Sequence, residues 1–185
     1  MVVGSLYTII DRAFLGNVVG ADALAGISIT MPITFVLMAF GMLIGIGTGT
    51  QISIKLGQKR KDEAEAILAN SVTLNLLISL VLTVGLSLSL EWLLRGFGAS
   101  ERILPYAKQF MQVILYGATF QSLAFALSAA IRAEGNPRLA MFTMLINAGL
   151  NVALDALFVL VFRWGVPGAA VATVISQAVS AIWTV

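Results

Sequence analysis

The sequence contains no cysteine and no histidine, and only 11% of its 185 residues are charged. Without cysteine, the chain has no disulfide, no thiolate nucleophile and no thiolate metal site. Without histidine, it lacks the commonest transition-metal ligand and the usual proton shuttle near neutral pH. The apolar stretches also show no Ser-Lys dyad and no metal motif, so few routes remain for activating a nucleophile. The sequence therefore does not predict an enzyme.

Apolar residues dominate the chain, since 59% of the residues are hydrophobic and the mean hydropathy is +0.97. This composition lies outside the range of soluble globular proteins. A membrane-spanning helix needs about 20 apolar residues, and the sequence contains six stretches of roughly this kind, separated by short loops. We therefore predict an all-α membrane protein in which residues 1–185 form a single domain, one bundle of six transmembrane helices.

Glycine, proline and charged residues set the bounds of these six predicted spans. They run approximately over 1–17, 24–56, 63–93, 103–132, 139–162 and 169–185. Pro32 falls inside the second span, where we expect a tolerated kink, and Asp22 is expected to cap its start. Gly41, Gly45 and Gly49 predict a face for close helix packing. The first and last spans are curtailed at the chain ends, which we interpret as a sign of a longer protein.

The loops divide the basic residues into two sets, one for each side of the membrane. One side carries Lys55, Lys59, Arg60, Lys61, Arg132 and Arg138, and the other carries Arg12, Arg95, Arg102, Lys108 and Arg163. The numbers are nearly equal, and only the dense cluster at 55–61 favours its side as cytoplasmic under the positive-inside rule. We interpret the net charge of +2 as a consequence of this topology, so no nucleic-acid partner is expected.

A polar stripe interrupts the fifth predicted span. Asn147, Asn151 and Asp155 follow one another at intervals of four residues, which places them on one helix face over about 12 Å. A carboxylate in mid-membrane costs about 2.5 to 3.5 kcal/mol on insertion scales, so this face must point to the bundle interior or to water. Asn147 is equally compatible with a role in contacts between helices.

The first predicted span carries a similar feature, with Tyr7 one turn before Asp11 and Arg12 beside it. Arg12 points about 100° away around the helix, so it need not neutralise Asp11. Two carboxylates with amide and hydroxyl oxygens form a set of hard donors suited to sodium or to shared protons. We therefore predict a site for Na⁺ or H⁺ that contains Asp11 and Asp155, and no other cofactor.

Five segments resemble the multidrug and toxic compound extrusion (MATE) transporters. They are "GSLYTIIDRAFLG", "GADALAGISITMPI", "SIKLGQKRKDEAEAILAN", "IRAEGNPRLAMFTMLINAGLNVALDALFV" and "GVPGAAVATVISQ". Together they cover essentially the whole chain in the order and spacing of that family. The resemblance implies the N-terminal lobe of a twelve-helix protein with two six-helix bundles. It also implies export of cationic or amphipathic compounds against inward flow of sodium or protons.

The resemblance also implies a set of residues for binding the cation. Matched position by position, these are Asp11, Asn151, Asp155 and Thr173, with Tyr7 in support. The family pattern supports Asn147 less strongly. Some family members have a tyrosine and an asparagine in the fourth helix, where this chain has Phe110 and Ser128. This difference affects the hydrogen bonds expected around the carboxylates.

The leading hypothesis from the sequence is the N-terminal lobe of a cation-coupled multidrug efflux antiporter in a bacterial or archaeal inner (plasma) membrane. Its expected partners are membrane lipid, small-molecule drugs and a second six-helix lobe. One alternative is a lipid-linked oligosaccharide flippase of the same superfamily. Such a flippase would need a cationic lining for its anionic substrate, and the predicted spans contain almost no basic residues. A membrane assembly subunit without transport activity is the other alternative.

Overall fold

The computed structural model describes residues 20–184, which fold into a bundle of long helices. The first predicted span, with Tyr7, Asp11 and Arg12, lies outside the described residues. The helices are α1 (Ala21–Ile29), α2 (Met31–Gly57), α3 (Lys61–Gly96), α4 (Leu104–Ala133), α5 (Pro137–Asp155) and α6 (Val166–Trp183), with a π-helical segment, Ala156–Val161, directly after α5. Within residues 20–184, five helical segments are long and apolar enough to cross a membrane, and α5 with the π segment counts as one. This confirms the prediction of an all-α membrane protein.

The second predicted span is two helices rather than one. The helix α1 ends at Ile29, and α2 begins at Met31 with Pro32 in its first turn. Proline is well tolerated there because the first backbone N–H groups of a helix have no partner within it. Thr30 joins the two helices, and its buried hydroxyl donates to the Ile27 carbonyl at 2.6 Å. The predicted span is therefore interrupted at Thr30, close before Pro32, and Pro32 lies in the first turn of a helix rather than inside a continuous one.

Asp22 does not cap α1, contrary to the prediction. It lies in the first turn of the helix, which has no side-chain cap. Its carboxylate instead accepts a hydrogen bond from Nε of Arg102 at 2.7 Å. An acidic residue in the first turn still suits the positive end of the helix dipole, and the ion pair links α1 to the start of α4.

The helix α4 is the centre of the bundle, because it packs against all five other described helices. Its residues Met111 and Leu115 are completely buried. Small residues allow a close approach between α2 and α4. Gly45 of α2 faces the backbone of Phe125, and Gly49 faces Ala129, which agrees with the predicted glycine face. The outer faces of α2 and α3 are apolar and exposed, as is typical of surfaces in contact with lipid.

A seam of paired polar groups joins α3 to α4. Asn75 donates from Nδ2 to the Ser122 carbonyl at 3.2 Å and accepts from the Ser122 hydroxyl. Ser79 and Thr119 share a hydrogen bond of 3.0 Å, and Thr83 donates to the Leu115 carbonyl. Each of these side chains has a partner within the seam, so its role is to hold the two helices together.

The helices alternate in direction, so the basic residues within residues 20–184 lie at the two ends of the bundle that the sequence predicted. The α2–α3 loop with Lys59 and Arg60 lies at the same end of the bundle as the α4–α5 loop. We call this end the basic end. The Asn136 to Pro137 turn at this end follows Gly135, whose φ of 87° is a conformation that glycine adopts readily.

Candidate functional site

The polar stripe on α5 lies at the interface between α5 and α6. Asn151 is 4% exposed and Asp155 is 1% exposed, whereas Asn147 is half-buried. The four-residue spacing turns these side chains to the face of α5 that packs on α6. The stripe therefore points into the protein rather than to lipid, as its insertion cost requires.

Asn151 and Thr173 meet across this interface. Nδ2 of Asn151 donates to Oγ1 of Thr173 at 3.3 Å, and the Thr173 hydroxyl donates in turn to the Ala169 carbonyl at 3.0 Å. The Oδ1 atom of Asn151 is buried and has no hydrogen-bond partner within residues 20–184. Asp155 follows Asn151 by one helical turn on the same face. The site thus offers an amide oxygen, a hydroxyl oxygen and a carboxyl group.

The α-helix ends at Asp155, because residues Ala156–Val161 form a π-helix. The helical span continues to Val161, which agrees with the predicted span 139–162, but its last 6 residues are π-helical, which the sequence did not predict. The wider turn places Val159 in a core with Ala23, Ile27 and Val166. Leu157 accepts a hydrogen bond from the Phe162 backbone N–H at 2.9 Å, which is the spacing of a π-turn.

Aromatic rings cover the outer end of this region, opposite the basic end. Phe158 stacks on Trp164 with 5.0 Å between ring centroids and on Phe162 with 6.0 Å. Trp164 and Phe162 are exposed, as expected for residues that anchor a helix end at the membrane interface.

The oxygen donors of the site suit a hard cation. Residues 20–184 contain no cluster of three or more His, Cys, Asp or Glu side chains that is suited to a transition metal. Sodium binds carboxyl, amide and hydroxyl oxygens, and a proton needs only the carboxylate. An ionised carboxylate is costly to bury, and a cation or a proton is a kind of partner that lowers this cost.

The structure brings together three of the predicted site residues, namely Asn151, Thr173 and Asp155. Asn147 lies one turn from Asn151 toward the basic end. Tyr7 and Asp11 fall outside residues 20–184, so the predicted meeting of Asp11 and Asp155 stays a prediction.

The fourth-helix differences have a visible consequence. The Ser128 hydroxyl accepts a hydrogen bond from Nη1 of Arg132 at 2.7 Å, and Phe110 packs against the apolar core.

The sequence did not predict the contact of the Ala169 carbonyl, which accepts a hydrogen bond from the Thr173 hydroxyl. Threonine hydroxyls inside helices commonly donate to the carbonyl four residues earlier, so a threonine in an apolar helix is the sequence signal for this contact.

Comparison with known families gives a match over most of the chain. The MatE family model matches residues 1–157. The multidrug export protein MepA of Staphylococcus haemolyticus is 32% identical over 187 residues, covering 99% of this chain and 41% of MepA. MepA of Staphylococcus aureus MRSA252 is 32% identical over 188 residues, with 42% of that protein covered. The chain thus spans less than half the length of these relatives.

Solved structures agree with this match. An outward-facing multidrug resistance MATE family transporter has a TM-score of 0.94 at 28% identity, over 100% of this chain and 41% of that protein. The inward-facing conformation of such a transporter has a TM-score of 0.92 at 27% identity, over 97% of this chain and 41% of that protein. The likeness to transporters confirms the expectation that the protein is not an enzyme. The chain belongs to the MatE family, and its helices form one lobe of a MATE transporter.

Proposed function

We propose that this chain is the N-terminal lobe of a cation-coupled multidrug efflux antiporter that exports cationic or amphipathic compounds. Na⁺ or H⁺ is the coupling ion. It binds at Asn151, Asp155 and Thr173, with Asp11 and Tyr7 of the first predicted span completing the site and Asn147 beside it. The second six-helix lobe, membrane lipid and the drug are the partners, and a bacterial or archaeal inner membrane is the location.

One observation carries the proposal, namely the buried contact between Asn151 and Thr173 one turn from Asp155. A contact made only to join helices would pair every polar atom, as the Asn75–Ser122 seam does. Here Oδ1 of Asn151 stays unpaired within residues 20–184. A buried carbonyl oxygen without a donor costs about 1 to 3 kcal/mol, and a cation held beside the Asp155 carboxyl group removes that cost.

Coupling follows from the burial of Asp155, which is 1% exposed. A buried carboxyl group interacts differently with a cation or proton in each conformation that changes its surroundings. Cation binding therefore stabilises one conformation of the transporter relative to the other. This difference in free energy couples cation binding to drug export. The lobe matches both an outward-facing and an inward-facing transporter with TM-scores above 0.9. This similarity supports movement of whole lobes relative to each other.

The substrate assignment rests on the relatives. MepA of two staphylococcal species is described as a multidrug export protein. The predicted spans contain almost no basic residues, which suits a cationic or neutral cargo better than an anionic one.

Replacement of Asp155 by Asn tests the proposal, because it removes the charge while keeping the size of the side chain. In the complete two-lobe protein, we expect Asp155→Asn to abolish drug efflux driven by a sodium or proton gradient in membrane vesicles, at unchanged expression. Asp22→Asn is the matched control, since Asp22 forms an exposed ion pair with Arg102, and such a pair contributes only about 0 to 1 kcal/mol. This variant should keep full efflux.

Sodium titration of the purified protein by calorimetry, with infrared titration of its carboxyl groups, is the second measurement. Loss of an ion-sensitive carboxyl group in Asp155→Asn supports the site. If coupled efflux persists in Asp155→Asn, or no carboxyl group of the parent responds to sodium or pH, the stripe only joins helices and the proposal fails.

A further inference from the structure

The interface between α5 and α6 continues as a polar seam from the cation site toward the basic end. Below Thr173 on α6, Ser176 is 0% exposed and Ser180 is 1% exposed. On α5, Asn147 is half-buried and Thr143 is 4% exposed. Thr173 and Ser180 are seven residues apart, so they share one helix face, and the Asn151 hydrogen bond shows that this face points to α5.

The depths of these groups match because the two helices are antiparallel. Thr143 lies eight residues before Asn151, and Ser180 lies seven residues after Thr173. At about 1.5 Å per residue, the first step covers about 12 Å and the second about 10 Å in the same direction. Buried and half-buried polar groups of α5 and α6 therefore lie at matching depths from the middle of the membrane to the last turn of α6, at the basic end.

The two ends of the seam hold buried polar atoms without partners. Oδ1 of Asn151 and Oγ of Ser180 are both inaccessible and make no hydrogen bond within residues 20–184. The other hydroxyls of the seam donate to their own helix, as Ser176 does to the Ala172 carbonyl and Thr143 to the Leu139 carbonyl. A hydroxyl that donates in this way keeps its capacity to accept a hydrogen bond. An unpaired buried polar group in a native protein commonly marks a water or an ion.

The α3–α4 seam shows that this pattern is not a general feature of the bundle. It has the same residue types, Asn, Ser and Thr, at the same spacing on a long helix. There, however, Asn75 pairs with Ser122, and Ser79 pairs with Thr119 across the interface. The α3–α4 seam therefore needs no water, whereas the α5–α6 seam leaves acceptor and donor capacity at both ends.

We infer that the α5–α6 seam between Asn151 and Ser180 holds a chain of water, and that the coupling cation moves along it between its site and the basic end. The movement of the coupling cation rests on the proposed function, whereas the presence of water rests on the seam alone. Oxygen atoms at Asn147, Ser176 and Thr143 supply the intermediate contacts. A cation that moves between such oxygens keeps part of its coordination, which lowers the cost of leaving water.

The absence of cysteine from the chain makes a direct test possible. In the complete protein, with any cysteine of the second lobe replaced by serine, Ser180→Cys introduces a single thiol. A small cationic methanethiosulfonate reagent reacts with the thiolate, which forms only where water reaches it. Ser79→Cys is the matched control, because Ser79 is 3% exposed in the fully paired α3–α4 seam.

We expect Ser180→Cys in proteoliposomes to react at least about ten times faster than Ser79→Cys, and only from the basic end. This expectation reflects the dependence of thiol reactivity on thiolate formation in water. Equal rates for the two variants would overturn the inference. Elution of both variants as the parent protein does in size-exclusion chromatography confirms that they fold.

A second variant tests cation movement along the seam separately from cation binding at the site. Ser180→Ala removes the hydroxyl with little change in volume. We expect it to leave equilibrium cation affinity within about twofold of the parent, while gradient-driven efflux slows several-fold, since the group lies on the path and not in the site. Unchanged efflux in Ser180→Ala overturns the route for the cation. If Ser180→Cys is labelled but Asp155→Asn retains coupling, the water chain stands and the proposed function fails.

Discussion

Replacement of Gly117 by alanine should damage the cation site from a distance. Gly117 of α4 lies against Val174 of α6. An added Cβ would lie 2.2 Å from Cγ2 of Val174, 2.8 Å from Cγ1 and 3.0 Å from Cβ. Rotation of the valine cannot relieve all three contacts, because valine is restricted at χ1 and the position of its Cβ does not depend on the rotamer. The helix α6 must therefore move away from α4.

The size of this movement decides the effect on Thr173, the residue before Val174. Ordinary contact begins at 3.4 Å, so α6 has to shift by about 1 Å, as is typical of overpacked interiors. The hydrogen bond between Nδ2 of Asn151 and Oγ1 of Thr173 is already 3.3 Å long. An additional 1 Å or so breaks it, and a hydrogen bond is worth about 1 kcal/mol, or about fivefold in affinity.

Thermal unfolding of the purified protein, followed by tryptophan fluorescence with and without sodium or at two pH values, measures both effects. We expect Gly117→Ala to lose about 1 to 3 kcal/mol of stability and to show a smaller stabilisation by the cation. Gly85→Ala is the control, because a Cβ at that α3 position meets no atom within 4 Å. This variant should be neutral or slightly more stable, since alanine favours a helix over glycine.

The double variant with Val174→Ala makes the test specific. Removal of both Cγ atoms leaves only the Cβ contact of 3.0 Å, which needs a shift of a few tenths of an ångström. We expect it to restore most of the cation response that Gly117→Ala loses. The reasoning is refuted if Gly117→Ala behaves like Gly85→Ala, or if Val174→Ala adds its own destabilisation to that of Gly117→Ala without any recovery.

Two further substitutions test the polar seams separately. Asn75→Ala should destabilise the protein by about 1 to 2 kcal/mol in thermal unfolding, because it leaves the Ser122 groups unpaired at the α3–α4 interface. Asn70→Ala, at an exposed position of the same helix, should have little effect, and equal losses in the two variants would contradict the role of Asn75 in joining α3 to α4. Thr173→Val should weaken cation binding by about fivefold in calorimetry, since it removes the oxygen that accepts a hydrogen bond from Asn151. Thr173→Ser keeps that oxygen and should keep most of the affinity, so equal affinities in the two variants would show that Thr173 is not part of the site.

The sequence alone was sufficient for the class of protein and for most of its helices. Apolar length predicts spans in any chain, because a bilayer accepts only segments that satisfy their own backbone hydrogen bonds. Five of the predicted spans correspond to helical segments of the described residues. The polar stripe at Asn147, Asn151 and Asp155 was also visible from spacing, since the period of an α-helix decides which residues share a face.

The tertiary structure decided what local patterns leave open. Pro32 is compatible with a kink or with a helix start; in the tertiary structure α1 packs on α4, and Pro32 lies in the first turn of a separate helix. The π-helix after Asp155 was not visible in the local sequence, and its residue Val159 packs in a core with residues of α1 and α6 that are distant in the chain. Likewise, Asn75 and Asn151 look alike in sequence, as polar residues in apolar helices. Their difference is whether the facing helix supplies a partner for every polar atom, and the residues that settle this are 47 positions away for Asn75 and 22 for Asn151.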